Sequence, residues 1–265
     1  KKTWAINPNL VKKQLEIIQK EISAVIVVSP FGRPLVTSDW DDFTKETGIR
    51  VIIDAAAGFD SVSSVDTAKP GLTPIVISLH ATKPFGIGEG GMVICEDKSI
   101  ISRVREMSNF GFNSDRRIAV SGTNGKMSEY SAAVAHAALD NWEVKKQSWK
   151  KIIKLYSNKL DSIGVKHIFS SEYVTSTCNI IVNNESAKNV LFELNKKNIQ
   201  SKKWWDNGCH KHEVYSKAMR LNLPITEYLS RSVVGLPFSV DMSEEEMDYV
   251  CSVLELINEK EKVIN

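Results

Sequence analysis

Two hydrophobic patterns alternate along the first half of the chain. Short runs with no polar alternation, Ala24–Val28, Arg50–Asp54, Pro74–Leu79 and Met92–Cys95, read as strands apolar on both sides. Between and around them the apolar residues recur at helical spacing. Leu10, Val11, Leu15, Ile17 and Ile18 follow Asn7-Pro8, a cap and first-turn pair. Asp41–Thr47 is expected to be helical, capped by Ser38 or Asp39 and stopped by Gly48. Ile100–Met107 is a third helix, and one long helix is expected from Ser128 through Trp142 towards Leu160, stopped by Gly164. Strand, helix, strand with apolar strands predicts an α/β unit: a mainly parallel sheet covered by helices.

Beyond Gly164 the pattern changes. Thr175–Val182 reads as a strand, Ala187–Lys197 as a helix and Ile199–Trp205 as extended. Pro224 opens a helix that Leu236-Pro237-Phe238 leaves, and Ser243-Glu244-Glu245-Glu246 is a capping box for the last one. This second part is a smaller α+β unit. The expected boundary lies near residue 145, giving domains 1–145 and 146–265.

Composition narrows the class without naming a partner. The 265 residues carry 34 basic and 32 acidic side chains, a net charge of +2, which gives no case for nucleic acid or an anionic membrane. No apolar run approaches the roughly 20 residues that span a bilayer. Four scattered cysteines with no Cys-x-x-Cys pair argue against a metal site or disulfide framework and make the cytoplasm the expected location.

The chemistry concentrates at two strand ends. The strand Val51–Ile53 ends in Asp54, and the strand after it runs into Ser78-Leu79-His80-Ala81-Thr82-Lys83-Pro84-Phe85-Gly86-Ile87-Gly88-Glu89-Gly90-Gly91. In open parallel sheets ligands bind at the carboxyl ends of strands. Asp54 there is either a ligand-facing acid or a turn and cap residue. Ser78 is either a ligand donor or a hydroxyl satisfied by the backbone. A lysine on a glycine-rich loop near an acid suggests a cofactor site without saying which cofactor.

The order Asp54-Ala55-Ala56, Ser78-x-His80-x-x-Lys83, Gly88-Glu89-Gly90-Gly91 and Gly122-Thr123-Asn124-Gly125-Lys126-Met127-Ser128-Glu129 resembles the DegT-type sugar aminotransferases. These are pyridoxal-phosphate enzymes with the aspartate-aminotransferase fold (fold type I), and the likeness runs from near Thr3 to the last helix. The resemblance implies that Lys83 forms the Schiff base with pyridoxal 5′-phosphate and then moves the proton. It implies that Asp54 pairs with the pyridine nitrogen and Ser78 with the phosphate. Asn124 would reach the cofactor of a neighbouring subunit, so a homodimer with shared sites is expected. His80 lies within the motif as a cofactor-site residue or a packed histidine. Trp205 and His210 resemble the part of the family near the substrate. The expected substrates are a nucleotide-linked keto-deoxy sugar and glutamate or glutamine as amino donor. A histidine in place of Lys83 would mark the dehydratase branch.

Three features depart from the family. Many members carry glutamine near the cofactor ring where Ala57 stands, and many carry arginine where Lys126 stands. The family's fold also begins with a segment before the point matching Lys1, which supplies part of the phosphate cradle and an aromatic that stacks on the ring. The alternatives are a non-catalytic relative serving regulation or assembly, and an α/β enzyme that uses Lys83 and Asp54 without a cofactor.

Overall fold

The computed structural model describes residues 4–18, 21–182 and 186–264. They form two units: the described residues of 4–147 with 172–175, and those of 148–171 with 176–264.

The first unit begins with α1 (Pro8–Ile17), where Asn7 Oδ1 accepts the Leu10 N–H at 2.8 Å and Pro8 sits at the first turn. Strand β1 (Ala24–Val28) leads to α2 (Thr37–Thr47) and β2 (Arg50–Asp54). Helix α2 starts before the expected cap: Val36 precedes it with no side-chain bond, and Ser38 and Asp39 lie in its first turn, where an acid suits the helix dipole. Gly48 ends it in the left-handed conformation, φ 70°. A short helix α3 (Phe59–Ser64) follows β2. Periodicity misses it because the residues it buries are Asp60, Ser61 and Val62. Then come β3 (Ile75–Ser78), β4 (Gly91–Ile94), α4 (Lys98–Ser108) and α5 (Glu129–Asp140). The expected single long helix is two: α5 ends at Asn141, and α6 (Trp142–Ser162) starts at the next residue. Asn141 turns its side chain back onto the Ala137 carbonyl, 2.9 Å, which interrupts the ladder while the apolar pattern runs on.

The sheet order is β1-β2-β3-β4, with β1, β2 and β3 parallel and β4 antiparallel to β3. The reversal follows from the chain between them, which returns on itself within residues 79–90. One face of the sheet is core: Val27, Val51, Ile53, Ile75 and Ile77 are buried. Trp40 and Phe43 of α2 are buried in the same unit, each contributing about 1.5–3 kcal/mol. Along the other face Ile26, Ile52, Val28 and Val76 are exposed, Ile26 at 67%, and the register places Asp54 between Val28 and Val76 in that row. Asp41 ties α2 to the entry of β3 by accepting from Thr73 N and Thr73 Oγ1, 2.7 and 2.6 Å. Asp60 is wholly buried. It pairs with Lys146 Nζ at 3.2 Å and accepts the Val174 N–H at 2.8 Å, fixing residues 172–175 within this unit.

The second unit contains most of α6, then β5 (Lys166–His167), β6 (Cys178–Ile181), α7 (Ala187–Lys196), α8 (Pro224–Ser232), β7 (Val233–Leu236) and α9 (Glu244–Ile264). Its three strands are antiparallel in the order β5-β6-β7. The strand expected over 175–182 shortens to β6. The expected extended stretch 199–205 keeps a single bridge, Lys202 with Gly235, because Trp205 and Asp206 turn to positive φ, 51° and 48°. The capping box is present: Ser243 N donates to Glu246 Oε2 and Glu246 N to Ser243 Oγ. Among the described residues no helix is long and apolar enough to cross a membrane, and no cluster of His, Cys, Asp and Glu could hold a metal ion.

Candidate active site

Strands β2 and β3 are parallel neighbours, so their carboxyl ends bring Asp54 and Ser78 to one edge of the sheet. The chain after β2 turns tightly there. Ala56 N donates to Asp54 Oδ1 at 3.0 Å, and Ser78 N donates to the Ala56 carbonyl at 3.2 Å, tying the turn to the end of β3. Asp54 is half-buried, and among the described residues its Oδ2 takes no hydrogen bond. The carboxylate is therefore part turn residue, through Oδ1, and part open acceptor, through Oδ2.

The lysine loop is a closed hairpin. Leu79 N donates to Gly90 O (2.9 Å), Ala81 N to Gly88 O (2.7 Å) and Ile87 N to Leu79 O (2.9 Å), so its two limbs are laced together. Gly86 packs against the opposite limb: a Cβ there would lie 2.6 Å from the Ala81 carbonyl oxygen. Lys83 stands at the tip, half-buried, its N–H on the His80 carbonyl at 2.9 Å. Among the described residues its ammonium makes no ion pair or hydrogen bond. Ser78 Oγ accepts the His80 N–H at 3.2 Å, which leaves its hydroxyl proton available. His80 is engaged within the loop: Nδ1 lies 2.9 Å from Thr82 Oγ1 and Nε2 3.4 Å from Glu89 Oε1 on the return limb.

Ala57 presents only a methyl group, and its carbonyl oxygen lies where a side chain on Gly32 would stand, 2.4 Å from that Cβ position. Gly32 has φ 81°. Asn124 is exposed, its carboxamide oxygen accepting from Lys126 Nζ at 2.8 Å, while the Lys126 ammonium also lies 4.3 Å from the Phe110 ring. The structure thus brings Asp54, Ala57, Ser78, His80 and Lys83 to adjoining turns, and leaves Asn124 on a separate surface loop of the same unit.

Trp205 and His210 belong to the second unit. Trp205 is 56% exposed beside Trp204, ring centroids 6.0 Å apart. His210 is largely buried, its Nε2 3.7 Å from Glu227 Oε1. The Lys211 ammonium, by hydrogen bond and charge, holds the Glu227 carboxyl below its ordinary range, with Arg231 and His210 adding to the effect. This unit also has a concavity of about 560 Å³ lined by Lys202, Trp204, Gly235, Phe238 and Tyr249 among others, which neither Trp205 nor His210 lines.

Motif reading missed an aromatic cluster next to the lysine. Phe85 is 2% exposed and stacks on Phe59, with centroids 4.0 Å apart and planes 14° from parallel; Trp142 meets both rings edge-on. The signal was present in the sequence. Phe85 is a large aromatic residue between Pro84 and Gly86 in a glycine-rich loop, and such a residue needs a buried partner.

A lysine at a hairpin tip and an acid at the adjoining strand end suit a cofactor with an aldehyde and a basic ring nitrogen. The donor set fits: a free amine, an open carboxylate oxygen and a hydroxyl with its proton uncommitted. Comparison with known proteins points the same way. The curated protein Rv3402c of Mycobacterium tuberculosis is 25% identical over 264 residues, covering 96% of this chain. The chain spans 63% of that relative's length. A dTDP-4-amino-4,6-dideoxy-D-glucose transaminase of Shigella dysenteriae is 25% identical over 247 residues, covering 90% of this chain and 67% of that protein. Among solved structures, one from Bacillus cereus ATCC 10987 superposes with a TM-score of 0.88 at 26% identity, over 96% of this chain and 70% of that one. DesI, solved in the presence of its TDP-sugar product, gives 0.82 at 25%, over 96% and 66%. These superpositions bear out the expected fold class. The family profile matches residues 1–255, and the chain belongs to the DegT/DnrJ/EryC1/StrS aminotransferase family.

Proposed function

We propose that the protein is a pyridoxal-phosphate-dependent aminotransferase that acts on a nucleotide-linked keto-deoxy sugar, with glutamate or glutamine as the amino donor. The observation that carries this reading is the Lys83 amine, unpaired among the described residues, at the tip of a laced hairpin beside the strand end that carries Asp54, in a member of this family. Two relatives named for sugar nucleotides, the Shigella transaminase and DesI, support the substrate class.

When bound, the cofactor supplies an electrophilic aldehyde and a protonated ring that accepts electrons as a proton leaves the donor's carbon. The chain's own residues divide the remaining work. Lys83 would be the covalent anchor and the amine that holds and delivers the proton. Asp54 would hold the ring nitrogen through its free carboxylate oxygen, its negative charge favouring the protonated ring. Ser78 would donate its hydroxyl to the phosphate. His80 braces the loop that carries Lys83, through Thr82 and Glu89. Asn124 reaches outward to a second copy's site, which makes the working unit a homodimer. Trp205 and His210 contribute to the sugar side.

Ala57 favours a second reading, a relative that keeps the fold without catalysis, because the family's usual glutamine contact is missing. One experiment separates the two. Purified protein titrated with pyridoxal phosphate is expected to develop the visible absorption of a lysine-bound cofactor, and that absorption is lost in Lys83→Ala. A protein that binds no cofactor, or a Lys83→Ala variant that keeps both the band and transaminase activity, would contradict the proposal.

A further inference from the structure

Resting on that reading and deepening it, we infer that the Phe59–Phe85–Trp142 cluster fixes the tip of the lysine loop against the turn after Asp54, with Phe59 and Phe85 acting as positioning residues for Lys83. The limbs of the loop are laced at residues 79–81 and 87–90, and the end of β3 is tied to the Asp54 turn by Ser78 N and the Ala56 carbonyl. The tip is different. Its backbone bond, Lys83 N to His80 O, is internal to the loop, so it cannot hold the tip against the neighbouring turn.

The rings supply that hold. Phe59 is the first residue of α3, reached from Asp54 through the turn 55–58. Phe85 is separated from Lys83 only by Pro84, whose ring fixes its own φ and stiffens the span. The Phe59–Phe85 stack therefore joins the acid's turn to the lysine's tip. A stacked pair alone can slide. Here Trp142 stands edge-on to Phe59 at 5.1 Å and 89°, and to Phe85 at 5.5 Å and 77°, so movement of either ring meets the third. Leucine at either position keeps an apolar side chain but removes the flat face, and the tip is free to drift. A drift of about 1 Å at a reacting amine costs on the order of a hundredfold in rate.

The test uses the purified protein loaded with pyridoxal phosphate. The measured step is its half-reaction with L-glutamate or L-glutamine, followed by loss of the visible band. Phe59→Leu and Phe85→Leu are expected to slow the saturated rate by about ten- to a hundredfold. The half-saturating donor concentration should stay within about twofold, because the donor's own contacts are untouched. Phe59→Tyr keeps the ring and should stay within about twofold of the parent in both. Phe59 is only half-buried, so Phe59→Leu remains informative should Phe85→Leu fail to fold. Leucine variants that melt earlier yet keep the parent's saturated rate would overturn the inference, leaving the cluster a packing feature. A parent protein that binds no cofactor at Lys83 would overturn the functional reading as well, and is recognised before any variant is made.

Discussion

The loop that carries Lys83 and the segment that carries Trp205 and His210 are both short of regular structure, yet they are held differently. The lysine loop grows from two adjacent strand ends, is laced by three backbone bonds between its limbs and drops Phe85 into a ring cluster. The segment 204–215 is a run of single turns. It passes positive φ at Trp205, Asp206 and Gly208, and its backbone bonds span three residues, as in Gly208 N to Trp205 O and Lys211 N to Gly208 O. On the proposed reading, the group that must return to one place is mounted on the sheet, and the groups proposed to face the substrate sit where the chain can change shape with little disturbance to the core.

Four predictions test this contrast, in falling order of effect. Asp54→Asn removes the charge at the mounted end but keeps the turn's acceptor oxygen. Its transamination rate should fall on the order of 10²–10³-fold while cofactor still attaches to Lys83; an unchanged rate would detach Asp54 from the chemistry. Asp60→Ala takes the buried carboxylate from Lys146, which keeps Ser64 Oγ at 2.7 Å and Glu143 at 3.9 Å, leaves the Val174 N–H without its acceptor, and should cost about 3 kcal/mol in urea unfolding. Trp205→Ala is expected to shift stability by no more than about 0.5 kcal/mol, since the ring is exposed. If sugar turnover is also unaffected, Trp205 has no place at the substrate.

The smallest effect is one of pH. Burial pushes the Cys251 thiol up to about 11 from an ordinary 9.0. A raised thiol favours the protonated form in the folded chain, so its contribution is complete below about pH 9 and is lost as pH rises through about 11. Urea midpoints measured between pH 8 and 11 should fall more steeply for the parent than for Cys251→Ala; parallel curves would contradict this.

Sequence legibility follows the same divide. Strands β1 and β2 were readable to the residue because continuous β-branched runs suit a pleated sheet, although one face of that sheet is exposed. That residues 54 and 78 would lie at neighbouring strand ends was readable from the order of the strands; the roles of 54, 78, 80 and 83 came from the family resemblance and are proposals. Helix α3 was not, since it buries Asp60 and Ser61 and so breaks the apolar period that would reveal it. Strand β7 was hidden because Val233 follows α8 with no intervening turn residue. β5 has only two residues, too few for any pattern. Phe85 was visible as an odd apolar residue, but its partners Phe59 and Trp142 lie 26 and 57 positions away. Only the folded chain brings those rings together.

The central claim is that Lys83 is the residue to which the cofactor attaches. The most direct measurement is borohydride reduction of the pyridoxal-phosphate-loaded protein, followed by proteolysis and mass analysis of the peptide spanning residues 79–98. A single pyridoxyl adduct on Lys83, absent from Lys83→Ala, is the expected result. An adduct on another lysine with Lys83 unmodified, or no adduct in protein that retains transaminase activity, would contradict it.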